Sequence, residues 1–189
     1  MMNIKTFIGA KLFDDKGRLI RCHEEEGHSF VAQFNQLLYI AMSDVTTPVH
    51  DFINTLFSPV AGANQNNMHT DGAAGNQSVG IVVGTGTNPV TINDYNLQTV
   101  ILHGTGSGQL DYPINLFVAP AVVGATCSFI QRRVFNNTSG GDISVSECGL
   151  FCYNAVSTKI FCLDRTLITP VLVPNGHALQ LDYRISNTV

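Results

Sequence analysis

The sequence has no tryptophan, and only 8% of its 189 residues are aromatic, which leaves little material for stacking sugar rings on exposed aromatic platforms. Charge is scarce too: Asp, Glu, Lys and Arg together make up 13%, about half the usual share for a globular domain. The 10 Lys and Arg against 14 Asp and Glu give a formal charge of −4. That balance argues against a nucleic-acid partner held by phosphate neutralisation, and it offers no attraction to anionic membranes. No apolar run approaches the ~20 residues of a membrane span. The stretch Met1-Met2-Asn3-Ile4-Lys5 lacks the apolar core and small-residue cleavage site of a secretory signal, so synthesis and folding in a cytoplasm are expected.

Cysteine is present in an odd number, five: Cys22, Cys127, Cys148, Cys152 and Cys162. Their default role is that of small half-buried hydrophobes. Cys148 and Cys152 share a strand face but sit too far apart to bridge each other. A disulfide to a neighbouring strand or another subunit, drawing on Cys127, Cys148, Cys152 or Cys162, stays open.

A hydrophobic share of 44% and a mean hydropathy of +0.15 mark an ordered chain long enough to bury a core. The low charge, with many Asn, Thr, Ser and Gly, fits a surface partly covered by other protein. Residues 125 to 153 set the pattern. Two arms rich in β-branched and aromatic residues flank the turn formers Asn136-Asn137-Thr138-Ser139-Gly140-Gly141, which reads as a β-hairpin. In the second arm Ile143, Val145, Glu147, Gly149 and Phe151 share one face. Glu147 interrupts that apolar face, and a buried glutamate needs a donor. Arg132 or Arg133 on the facing arm is the first candidate; the alternative is a solvent-facing Glu147 on an edge. Because arginine forks suit buried or interfacial carboxylates, Arg165 is a second candidate beside Arg133.

Taken in order, residues 4 to 22 alternate weakly about the turn Asp14-Asp15-Lys16-Gly17, as a short hairpin or extended arm. The spacing of Phe30, Phe34, Leu37, Leu38 and Ala41 then predicts an amphipathic helix with Ser29 as its N-cap. Residues 43 to 77 are polar and rich in Asn and Gly, apart from Phe52, Ile53, Leu56 and Phe57. A connection of this length is usually functional or ordered by a partner, so these four are the expected intersubunit contacts. From residue 78 onward strands are expected at 79–83, 97–103, 109–117, 159–167, 171–173 and 178–185, besides the two arms, with Pro174-Asn175-Gly176 as a turn. Short strands without intervening helices indicate a mainly β protein, an antiparallel β-sandwich of jelly-roll-like kind. The expected divisions are an arm and helix (1–42), a long polar loop (43–77) and the sandwich (78–189).

The succession Gly80-Ile81-Val82-Val83-Gly84-Thr85-Gly86-Thr87, Asp94-Tyr95-Asn96-Leu97, Arg133-Val134-Phe135-Asn136-Asn137-Thr138-Ser139-Gly140-Gly141 and Ser146-Glu147-Cys148-Gly149-Leu150-Phe151 resembles virion structural proteins of tailed bacteriophages. The ending from Asp164-Arg165 to Leu181-Asp182-Tyr183-Arg184-Ile185 is similar to theirs, as is His28-Ser29-Phe30-Val31 with Leu37-Leu38-Tyr39. The sequence departs from them at Cys148 and Cys152. The resemblance implies a β-sandwich and a virion component, with capsid, neck or tail proteins as partners.

Catalytic and metal patterns are weak. Gly84-Thr85-Gly86 and Gly104-Thr105-Gly106-Ser107-Gly108 lack the Lys-Ser/Thr of a phosphate loop. His23 and His28 are five apart and interrupted by Gly27, so they share no helical face. Ser107 lacks a nucleophile-elbow frame. Asp14-Asp15, or Asp94 with Asp111 and Asp164, could form a glycosidase pair, but acidic pairs of this kind are usually turn residues. The expectation is therefore a self-associating head or neck accessory protein, not an enzyme, with no cofactor, metal, nucleic acid or membrane partner. The alternative is a tail-associated module that recognises a host surface glycan, with Tyr95, Tyr112 and Tyr153 as its aromatic candidates.

Overall fold

A computed structural model describes residues 3–27, 30–43, 48–57, 68–154 and 159–188. In chain order the elements are β1 (Asn3–Phe13), β2 (Leu19–Glu26), α1 (Ala32–Ser43), β3 (Val49–His50), β4 (Leu56–Phe57), β5 (Gly80–Gly84), β6 (Leu116–Val123), β7 (Thr126–Asn136), β8 (Ile143–Asn154), β9 (Lys159–Val173) and β10 (Ala178–Thr188). Two antiparallel sheets form a β-sandwich: five strands ordered β2-β1-β10-β7-β6 and three ordered β5-β8-β9, with β3-β4 as a small ribbon.

Period-two patterning accounts for the five-stranded sheet. Thr6, Ile8, Ala10 and Leu12 of β1 are buried, as are Gln131, Arg133 and Phe135 of β7 and Leu179, Leu181 and Tyr183 of β10. The three-stranded sheet differs because both of its faces are covered, so β8 is buried continuously from Val145 to Cys152. On its inner face the Tyr183 hydroxyl donates to Cys148 Sγ across the sandwich at 3.2 Å. On its outer face Phe151 meets Phe52, Val82, Val100 and Leu102 around a 140 Å³ cavity.

The N-terminal strands are not an appended arm. β1 pairs with β10 over eleven residues, from Asn3 opposite Thr188 to Phe13 opposite Ala178, so the first and last strands lie at the centre of one sheet. Asp14 organises the β1–β2 turn by accepting from the backbone N–H groups of Lys16 and Arg18. The helix begins at Ala32, with Leu37 buried; the expected N-cap Ser29 lies outside the described residues.

The expected hairpin over 125–153 is instead a crossover. β7 pairs with β10 and β6, and β8 with β5 and β9, so the two arms belong to opposite sheets. Its turn formers fasten this crossover to the one between β9 and β10. Buried Asn137 donates from Nδ2 to Val173 O at 2.7 Å and accepts at its own O from Gly176 N at 2.7 Å. The chain changes sheet at β5–β6, β7–β8 and β9–β10, while β1–β2, β6–β7 and β8–β9 stay within one sheet.

Two further expectations change. Residues 97–103 form no strand and make only isolated bridges, Gly84 to Val100 and His103 to Leu110, because scattered backbone bonds such as Ile101 N to Val83 O alternate with side-chain partners. The Tyr112 hydroxyl, for example, donates to Ile101 O at 2.6 Å. Conversely, 159–167 and 171–173 merge into the fifteen-residue β9, which tolerates Pro170 because it falls where the β8–β9 register shifts, between the paired Leu167 and Val171.

Candidate functional site

Glu147 is fully buried on the outer face of the three-stranded sheet, beneath the excursion formed by residues 85–99. Its Oε1 accepts from Gly86 N at 2.9 Å and Thr99 N at 2.8 Å; its Oε2 accepts from Gln98 N at 3.1 Å and Arg165 Nε at 2.9 Å. Four donors on one carboxylate satisfy a group that would otherwise be costly to bury. The carboxylate also explains the Gly84-Thr85-Gly86 sequence, since a side chain at either glycine would run into Glu147.

Arg165 extends the network. Its Nη1 donates to Asp94 Oδ2 at 2.8 Å and its Nη2 to Asn88 O at 3.1 Å, so one guanidinium joins the sheet to both ends of the 88–94 turn. Burial pushes the Asp94 carboxyl up, but the Thr91 and Arg165 hydrogen bonds outweigh it and hold the carboxyl below its ordinary range. Burial likewise opposes the charge on Arg165, and Asp94 and Glu147 more than compensate. The expected pair of Glu147 with Arg165 is thus present within the subunit.

The expected pairing of Glu147 with Arg133 is not. Arg133 points into the sandwich from β7 and reaches no carboxylate among the described residues. Its five N–H groups go to five carbonyls: Nε to Pro113, Nη1 to Val79 and Ile81, Nη2 to Ala73 and Asn76, at 2.7–3.2 Å. The guanidinium lies 4.8 Å from the centre of the Tyr112 ring. Burial lowers its pKa to about 10, opposed by Tyr112 and Asp111. Arg133 is a clamp for the backbone of residues 73–81. Its neighbour Arg132 faces out and binds Asp182 through two contacts at 2.6 and 2.8 Å.

The polar segment 43–77 was expected to lie along a neighbour, yet its described parts pack on their own sandwich. Thr70 bonds Gln131, His69 bridges Tyr153, and Gly72 O accepts from Asn115. Of the four expected contact residues, Phe52 and Phe57 pack against the core, while Ile53 and Leu56 stay exposed. Asp51 closes their turn, accepting from Ile53 N and Thr55 N and pairing with Lys159. Residues 44–47 and 58–67 of that segment lie outside the described residues.

All five cysteines are free, with no disulfide among Cys127, Cys148, Cys152 and Cys162. Burial pushes the Cys148, Cys152 and Cys162 thiols up, away from the reactive thiolate. The acidic residues proposed as pairs have separate engagements. Asp14 caps a turn, Asp94 binds Arg165, Asp111 bonds Asn136, and Asp164 is buried with its Oδ2 accepting from Thr166. Among the described residues no cluster of three or more His, Cys, Asp or Glu could hold a metal ion, and no helix is long and apolar enough to cross a membrane.

One feature is not anticipated by the sequence pattern: β6, Leu116-Phe117-Val118-Ala119-Pro120-Ala121-Val122-Val123, is exposed at every residue, and its five large side chains are 45–78% exposed. The uncharged apolar run is its signal, whereas the expected strand over 109–117 overlaps it only at Leu116 and Phe117. Tyr95, one of the three aromatic candidates, stands between a 360 Å³ cleft lined by Asn88, Asp94 and Gln98 and a 340 Å³ cleft lined by Gln36, His50 and Asn93. Of the other aromatic candidates, Tyr112 is fully buried and Tyr153 is half-buried. Comparison with protein-family models, with curated proteins and with solved structures finds no match for this chain.

Proposed function

We propose that this chain is a structural component of a tailed-bacteriophage virion, a head or neck accessory that works by protein–protein assembly rather than catalysis. The observation that carries the reading is β6, a whole edge strand of apolar side chains in water on a sandwich whose buried arginines, Arg133 and Arg165, are spent on its own loops. Apolar surface of this extent is a favourable target for burial against protein. The network of Glu147, Arg165 and Asp94 and the Arg133 clamp support the same reading, because they fix long connections without leaving a charged group free for chemistry. The phage-like succession of motifs supplies the setting.

The test is to add purified chain to phage particles that lack it and sediment the mixture. Stoichiometric co-sedimentation supports the proposal; particles that take up none of it refute it. Tyr95 between its two polar clefts favours one second reading, recognition of a host surface glycan. Binding to a glycan array that is lost in Tyr95→Ala would establish it.

A further inference from the structure

The sandwich has four sheet edges, and the chain protects three of them. Strand β2 carries Arg21, His23, Glu24, Glu25 and Glu26 along its length, a charged edge that resists pairing. The outer edge of β5 is covered by side chains, with Asn115 accepting from Ile81 N, Tyr112 from Val83 N and Arg133 donating to Ile81 O. The outer edge of β9 is met by Val31 N at Leu163 O, Phe52 N at Ile160 O and Glu25 at Thr169 N. Only β6, among the described residues, presents an edge without charge or cover.

We infer that β6 is the site at which a second copy of this chain pairs, antiparallel and edge to edge, about a two-fold axis between Ala119 and Pro120. The inference deepens the assembly reading and rests on it for the claim that this surface becomes covered. The strand suits itself. An axis at that point sets Leu116 opposite Val123, Phe117 opposite Val122 and Val118 opposite Ala121 of the second copy, so each large side chain meets an apolar one. Aromatic and β-branched cross-strand pairs of this kind are favourable, and no charge meets a like charge. The five large side chains, 45–78% exposed and uncharged, give a second copy apolar surface to cover along the whole length of the strand.

The arrangement also stops at two copies. Joining two five-stranded sheets through β6 leaves the charged β2 at both ends of the combined sheet, so no further copy finds an open edge. A bulge between Val118 and Ala121, together with Pro120 and its missing N–H, weakens the ladder at the axis. Side-chain packing at the two ends therefore sets the register.

Sedimentation equilibrium and a charge-pair rescue test this directly. The wild-type chain is expected at about 41 kDa, twice its 20.4 kDa. Phe117→Lys and Val122→Glu, both on exposed positions and checked for folding by circular dichroism, should each weaken the dimer by about 100-fold. The double variant F117K/V122E should recover to within about 10-fold of wild type, because the two-fold brings each introduced lysine against an introduced glutamate. A folded double variant that stays as weak as either single overturns the two-fold register. A wild-type monomer that still occupies phage particles overturns self-pairing but leaves the assembly reading; a monomer that ignores the particles overturns both.

Discussion

Replacing Glu147 by glutamine tests whether one buried carboxylate organises the loop above it. The substitution preserves size but removes the charge and one of two acceptor oxygens. The remaining oxygen can serve one pair of donors, either Gly86 N and Thr99 N or Gln98 N and Arg165 Nε, while the new amide presents N–H to the other pair. Arg165 also loses one of its two carboxylate partners, keeping Asp94. Removing one member of a buried ion pair costs about 3–5 kcal/mol, and Asp94 retains part of the compensation, so a loss of about 3 kcal/mol is expected. Urea unfolding at pH 7 reads it as a lower midpoint at unchanged slope. Limited proteolysis should cut the variant within 85–99 before the wild type. Arg165→Met and the double variant complete a cycle in which the double loses less than the sum of the singles. A midpoint loss below about 1 kcal/mol, with unchanged proteolysis, would refute the idea that Glu147 holds this loop.

Asp164 makes stability depend on pH. Burial pushes its carboxyl from 3.8 up to about 7, against the pull of the Thr166 and Tyr183 hydroxyls, so the folded chain keeps a proton that the unfolded chain releases. This stabilising contribution is complete below about pH 4 and declines until the pH passes about 7, a loss of about 2–3 kcal/mol between pH 5 and 8. In Asp164→Asn that part of the decline should vanish when unfolding curves at the two pH values are compared; an identical decline in both proteins would contradict it. Arg133→Lys keeps a charge but offers at most three donors to five carbonyls, so stability should fall by about 2–4 kcal/mol and residues 73–81 should become protease-sensitive. An unchanged urea midpoint would show that the carbonyls do not need the fork.

Local pattern exposed much of the fold and little of its wiring. The alternation of Ile8, Ala10 and Leu12, and of Leu179, Leu181 and Tyr183, is visible in the chain because one face of that sheet is wet and the other dry. The helical spacing of Phe30, Phe34 and Leu37 carries the same kind of information. The turn at 136–141 was equally visible, but whether its flanking strands pair with each other depends on β10 and β9, which arrive later in the chain. Residues 97–103 look like a strand because their composition is strand-like. Their backbone partners are divided between isolated backbone groups, such as Val83 O and Leu110 N, and the side chains of Glu147 and Tyr112, which no local pattern identifies. Glu147 stood out as an anomaly on an apolar face, and arginine as its partner followed from electrostatics. Choosing Arg165 over Arg133 required knowing that β7 and β8 lie in different sheets.

The measurement closest to the central claim is amide hydrogen exchange across 116–123, in the dilute chain and in the assembled state. If β6 is the surface that assembly covers, exchange there should slow by at least about 10-fold on assembly, while residues 19–26 of β2 change little. Equal exchange at 116–123 in both states, in a protein that assembles, would contradict the account and place the working surface elsewhere.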